Sequence, residues 1–115
     1  MSYALVILED HGQRAERGLE GGQAAYAAML TFAEQLKARG QLVMTQALST
    51  EQTRVRRQGA GVEVLDGPFI EAKELVGGIF LLQNVSREQA LQIAAECPAA
   101  AWATVEVRAL GPCFT

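Results

Sequence analysis

Apolar residues fill every position from 4 to 8 and from 79 to 82, and each run is bounded by polar or glycine-containing sequence. Runs this short, apolar without alternation, are expected of strands covered on both faces. They predict one strand over residues 3–9 (YALVILE) and another over residues 77–83 (GGIFLLQ). Between them the period changes. Tyr26, Met29, Leu30, Ala33 and Leu36 recur at three- and four-residue spacing, which marks one face of a helix. Lys37 and Arg39 suit the negative end of its dipole, and Gly40 is a natural stop. The polar, glycine-containing stretch ahead of it, residues 10–22, reads as a loop.

Residues 42–48 (LVMTQAL) predict a further strand. Residues 53–57 and 62–66 flank a Gln-Gly-Ala-Gly turn and read as a short hairpin, after which DGPF at 66–69 breaks regular structure. Ser86 and Gln89 form a capping-box pattern that opens a second helix, with Ala90, Leu91, Ala94 and Cys97 on one face and Pro98 ending it. A last strand follows over residues 103–108, where Val105 and Val107 alternate with Thr104, Glu106 and Arg108. The order is therefore βαββαβ with an inserted β-hairpin. Two split βαβ units with right-handed crossovers give an α+β, ferredoxin-like domain over residues 1–115, a four-stranded antiparallel sheet with two helices on one face. The first and third main strands are then central, which agrees with their unbroken apolar runs. Two helices cover only one face of such a sheet. The other calls for a second cover: a second copy of the chain across a two-fold axis is the simplest, and the inserted hairpin or the C-terminal tail folded over that face is the alternative.

The 115 residues suit one domain, and half of them are apolar, a globular composition. A net charge of −3 argues against nucleic acid or an anionic membrane as partner. Arg54, Arg56 and Arg57 read as a solvated strand face rather than a phosphate track. The opening MSYALVILED has no basic flank and too short an apolar run for a secretory signal or a bilayer span, so it reads as a strand. Cys97 and Cys113 have neither metal nor disulfide spacing and read as reduced thiols of a cytoplasmic protein. One His and two distant Cys argue against a zinc site, and there is no phosphate loop, GxSxG or HExxH motif, so no cofactor is expected.

Topology brings residues 66–74 (DGPFIEAKE) beside Glu9, Asp10 and His11, with Trp102 and Thr104 at the same end of the sheet. Titratable groups beside an aromatic ring are raw material for a small-molecule pocket. In one reading Asp66 moves a proton with help from His11. Lys73 or Arg108 then neutralises an anionic metabolite, and Glu9, Phe69, Glu71 and Trp102 complete the pocket. In the other, Asp66 accepts backbone N–H bonds in a turn, His11 is solvated, and Glu71, Lys73 and Glu74 form an exposed face. Glu106 and Arg108 share a strand face and can pair with each other. Gly77 and Gly78 suggest a bulge or a close backbone approach.

The segment DGPFIEAKELVGGIFLL, residues 66–82, resembles the signature of the DGPF branch of the YCII-related proteins. In that pattern DGPF precedes a Glu (here Glu71), a Lys-Glu pair (Lys73 and Glu74) and a Gly-Gly (Gly77 and Gly78) ahead of an apolar strand. The likeness extends to the opening strand, the Ala-rich helix ending at Gly40 and the closing TVEVR at 104–108. The resemblance implies a dimeric α+β barrel, a homodimer joined through the open sheet face. That superfamily also includes muconolactone isomerase-like and antibiotic monooxygenase-like proteins. It further implies either a small-molecule-binding or regulatory protein, with sigma-factor association known for some members, or an acid–base lyase or isomerase using a His–Asp pair. Asp66 matches the Asp of that pair. Residues 22–39, where the His of the first helix would stand, contain none, which leaves His11 as the substitute.

Overall fold

The computed structural model describes residues 1–114. They form β1 (Tyr3–Asp10), α1 (Gln13–Ala38), β2 (Leu42–Ala47), β3 (Thr53–Gln58), β4 (Gly61–Asp66), β5 (Glu74–Leu82), α2 (Arg87–Glu96), a 3-10 turn at Pro98–Ala101 and β6 (Thr104–Ala109). The main sheet has the order β2-β5-β1-β6, and every neighbouring pair in it is antiparallel. β3 and β4 form a separate two-stranded sheet. The arrangement is ferredoxin-like with an inserted hairpin, and β1 and β5 hold the centre as their apolar runs predict.

The centre is layered by alternation. Tyr3, Leu5, Ile7 and Glu9 of β1 are buried, whereas Ala4, Val6 and Leu8 between them are half-buried. The buried set meets Phe80 and Leu82 of β5, Phe32, Ala33 and Leu36 of α1, and Ala90, Ile93 and Ala94 of α2. Phe32 and Phe80 pack edge to face with centroids 5.8 Å apart, a favoured aromatic geometry. α2 begins as its capping box predicts: the Ser86 hydroxyl accepts from the Gln89 N–H, and the Gln89 side chain accepts from the Ser86 N–H. The half-buried set faces away from the helices. With Val76, Ile79 and Leu81 of β5 and Met44 of β2 it makes a continuous apolar surface, bordered by Thr104, Glu106 and Arg108 of β6. The shortest Cα extent of the chain is 19 Å, the depth of one sheet and one helix layer. The hairpin does not fold over the open face; all of its residues are exposed.

Two expectations are corrected. Residues 10–22 are not a loop, because α1 begins at Gln13 and continues through a break at Gly18 (φ 74°, ψ 177°). Glycine disfavours helix by about 1 kcal/mol per residue, and Gly18, Gly21 and Gly22 concealed the element. Tertiary bonds from Gln13 and Arg14 hold its first turns in place. Tyr26 and Leu30 share the predicted face but not the core, being 56% and 47% exposed. The buried residues of α1 all lie in its C-terminal half, and the N-terminal half stands off the sheet.

Cys97 caps α2 and is buried, its Sγ 3.9 Å from Met29 Sδ, while Cys113 is exposed. Burial pushes the Cys97 thiol above the usual thiol range, against smaller opposing effects from its hydrogen bonds with the Ala99 and Ala100 backbone. A thiol raised in the folded state favours folding while protonated, and that contribution fades as pH climbs from about 8.5 through the folded value. Two outcomes follow. One thiol reacts rapidly with a disulfide reagent in the native protein and the second only on unfolding. The urea midpoint declines above about pH 9 in wild type and less so in Cys97→Ala, measured against its own neutral-pH value.

Candidate functional site

Glu9, near the end of β1 and on its helix-facing side, is 6% exposed and is the buried charged residue among those described. A carboxylate so placed needs a cation and hydrogen bonds, since a bare buried charge costs many kcal/mol. Arg14, in the first turns of α1, supplies them. Its Nε donates to Glu9 Oε2 at 2.9 Å, its Nη1 to the Leu48 carbonyl at 2.7 Å and its Nη2 to the Gly77 carbonyl at 3.1 Å. One guanidinium thus joins β1, α1, β5 and the segment after β2.

Gly77 makes room for this pair. A Cβ there would lie 2.3 Å from Glu9 Oε2 and 3.0 Å from Arg14 Nη2, so no other residue fits without moving them. The register slips at the same place: Ile7 pairs with Gly78 and Leu8 with Val76, leaving Gly77 as the extra residue of a bulge. Both structural readings of the Gly-Gly pair therefore hold.

A cavity of about 750 Å³ opens where α1 stands off the sheet. Ile7, Thr45, Gly77, Gly78 and Phe80 form its floor, residues from Arg14 to Leu30 of α1 its roof, and Ala99 and Trp102 an end wall. Leu19, Tyr26 and Leu30 line it while remaining well exposed, which places them at its mouth. Arg17 also lines it, with its guanidinium 5.5 Å from the Trp102 ring centroid. Arg17 Nη2 is shut off from solvent and has no hydrogen-bond partner. The Gln13 side-chain amide donates to the Trp102 carbonyl and so ties the start of α1 to the end wall.

A second cleft, of about 540 Å³, lies at the end of the sheet. Glu9, Arg14 and Ala15 line both spaces, so the ion pair stands between them. Asp10, His11, Gln52, Gly67 and Pro68 also line this cleft. The expected meeting of the first strand's end with the DGPF turn occurs here. His11 is half-buried, with Nε2 cut off from solvent and unpartnered.

Asp66 is not among the cleft's lining residues. It is exposed at the end of β4, and its Oδ1 accepts from the Thr53 hydroxyl at 2.8 Å across the hairpin. The Gly67–Pro68 peptide that follows is cis, and the Gly67 N–H donates to the Gln52 carbonyl. Phe69 is buried beneath the Arg54 guanidinium, 3.8 Å from its ring centroid. Glu71 and Lys73 are exposed and line neither space. Arg108 lies on the open face, paired in register with Ala4, on the opposite side of the sheet from the larger cavity.

Of the expected site residues, Glu9 and Trp102 meet in the larger cavity, and Glu9 and His11 in the smaller. Asp66, Phe69, Glu71, Lys73 and Arg108 line neither. Gln13, Arg14 and Arg17 fall within residues 10–22, whose glycines read as a loop, and Tyr26 reads as part of the core face rather than as cavity lining. Among the described residues no three His, Cys, Asp or Glu side chains come together as metal ligands would. No helix among the described residues is long and apolar enough to cross a membrane.

A family model described as the YCII-related domain matches residues 1–113. No curated protein matches the chain.

Removing one partner of the ion pair leaves the other charge without a match. Arg14→Met is expected to lower unfolding free energy by about 2 kcal/mol, below the range for fully buried pairs because Arg14 is one-third exposed. The double variant Glu9→Leu with Arg14→Met should recover part of that loss. Urea denaturation of the single and double variants reads both, and a double variant weaker than either single one contradicts the pairing.

Proposed function

The chain belongs to the YCII-related family, and on that footing we propose a homodimeric small-molecule-binding protein whose ligand occupies the cavity under α1. The observation that carries this reading is the cavity itself. At about 750 Å³ it falls within the range of ligand pockets, and its apolar walls are interrupted by a few fixed polar groups. Two of those groups, Glu9 and Arg14, are held by bonds to each other and to the Leu48 and Gly77 carbonyls, so that part of the site is organised before a ligand arrives.

Pairing is supported by the apolar surface opposite the helices. A four-strand face some six residues long projects on the order of 400 Å², about half of what one side of a standard interface buries. The hairpin offers more. Val55, Val62 and Val64 share one of its sides and are 69%, 62% and 59% exposed. A two-stranded hairpin is barely stable alone, which favours its lying against a second copy. In that arrangement the pairing face and the cavity lie on opposite sides of the sheet.

The acid–base alternative has less support. Asp66 is exposed and engaged with Thr53, and it does not share the His11 cleft wall.

Sedimentation should give a particle of twice the 12.4 kDa protomer mass, and Leu81→Glu on the open face should shift it to one protomer. Helical content should persist in that variant. A wild-type protein that stays single at micromolar concentration would falsify the pairing. Ligand occupancy is read separately, from the fluorescence of Trp102, the single tryptophan of the chain.

A further inference from the structure

Three charged side chains line the cavity under α1, and two of them cancel. Glu9 and Arg14 are paired at 2.9 Å, and the remaining bonds of Arg14 go to the Leu48 and Gly77 carbonyls. Arg17 has no ion pair and no hydrogen bond among the described residues, and its Nη2 is hidden from solvent. The cavity wall therefore carries one positive charge that no acid among the described residues compensates. An arginine left without an acid on a pocket wall attracts an anion.

The posture of Arg17 is set in advance. Its stem lies along the helix over Gly21, where a Cβ would come within 2.6 Å of Arg17 Cγ. Its guanidinium rests by the Trp102 ring, and the Trp102 carbonyl is held by Gln13. A guanidinium supported on an aromatic ring keeps its charge at the cavity wall, where a carboxylate meets it with a charge-assisted hydrogen bond. The surrounding walls, Ile7, Tyr26, Met29, Leu30 and Phe80, are apolar apart from the tyrosine hydroxyl.

We propose that the ligand is an amphipathic monoanion, a carboxylate on an apolar body, anchored through its carboxylate to Arg17 with the body lying between α1 and the sheet. This rests on the cavity being the ligand site and adds the chemistry it selects. A dianion fits less well, because the second guanidinium in the cavity is already committed to Glu9.

Octanoate and octanamide are probes of one shape that differ in charge. Calorimetry and Trp102 fluorescence on the full chain should show octanoate binding at least tenfold more tightly than octanamide, consistent with a charge-assisted hydrogen bond. Suberate, the dianion of the same length, should bind more weakly than octanoate. In Arg17→Met the preference for octanoate over octanamide should vanish. In Gly21→Ala, which keeps the charge but displaces the arginine stem, it should shrink. Equal binding of acid and amide by the wild type, with Trp102 responding to both, overturns the anion anchor and leaves the cavity as a neutral ligand site. Absence of any response to either probe at millimolar concentration overturns the anchor and the cavity reading together. The wild-type comparison decides the matter even where a variant fails to fold.

Discussion

A carboxylate turned into the helix-facing side of a sheet must be matched, and the matching of Glu9 by Arg14 organises the end of this domain where both cavities open. The pair draws the first turns of α1 across the sheet, toward the carbonyls of Leu48 and Gly77. It requires a glycine at 77 and accompanies a bulge in β5. Because the first turns are fixed by this contact while Phe32, Ala33 and Leu36 fix the last ones, the middle of α1 spans a gap that it does not fill. The cavity is what remains under it. Its roof is thus held by polar bonds at one end and by apolar packing at the other.

The same economy separates two roles across the sheet. Alternation along β1 sends Leu5, Ile7 and Glu9 toward the helices and Val6 and Leu8 the other way. The helix-facing side carries the charged, ligand-sized space. The opposite side is apolar at its centre, with Glu106 and Arg108 at its border. In the proposed pair a second copy covers that face, so substitutions there would alter assembly without touching the cavity lining. Arg17 and Trp102 would have the opposite profile.

The main fold was legible because its strands and its second helix follow simple periods. Unbroken apolar runs at 4–8 and 79–82 placed the central strands, and the capping box at Ser86 placed the second helix. The gathering of Glu9, Asp10 and His11 near the DGPF turn followed from antiparallel topology. The start of α1 was not legible, since local propensity at Gly18, Gly21 and Gly22 points away from helix and the opposing bonds reach residues tens of positions distant. Asp66 drew notice through its motif, yet its partner is the hairpin's own Thr53.

Local patterning settled the elements and the apolar character of both faces of the central strands, because each depends on periodicity that the chain carries within a few residues, and the right-handed crossover rule then ordered the strands. It also established the resemblance to the YCII-related proteins through the spacing after DGPF. Only the tertiary structure decided that Arg14 neutralises Glu9, that Arg17 is left over beside Trp102, and that a cavity lies between them. Those outcomes depend on which carbonyls and rings arrive within 3 to 6 Å of a guanidinium, and distances of that kind are set when separate elements dock.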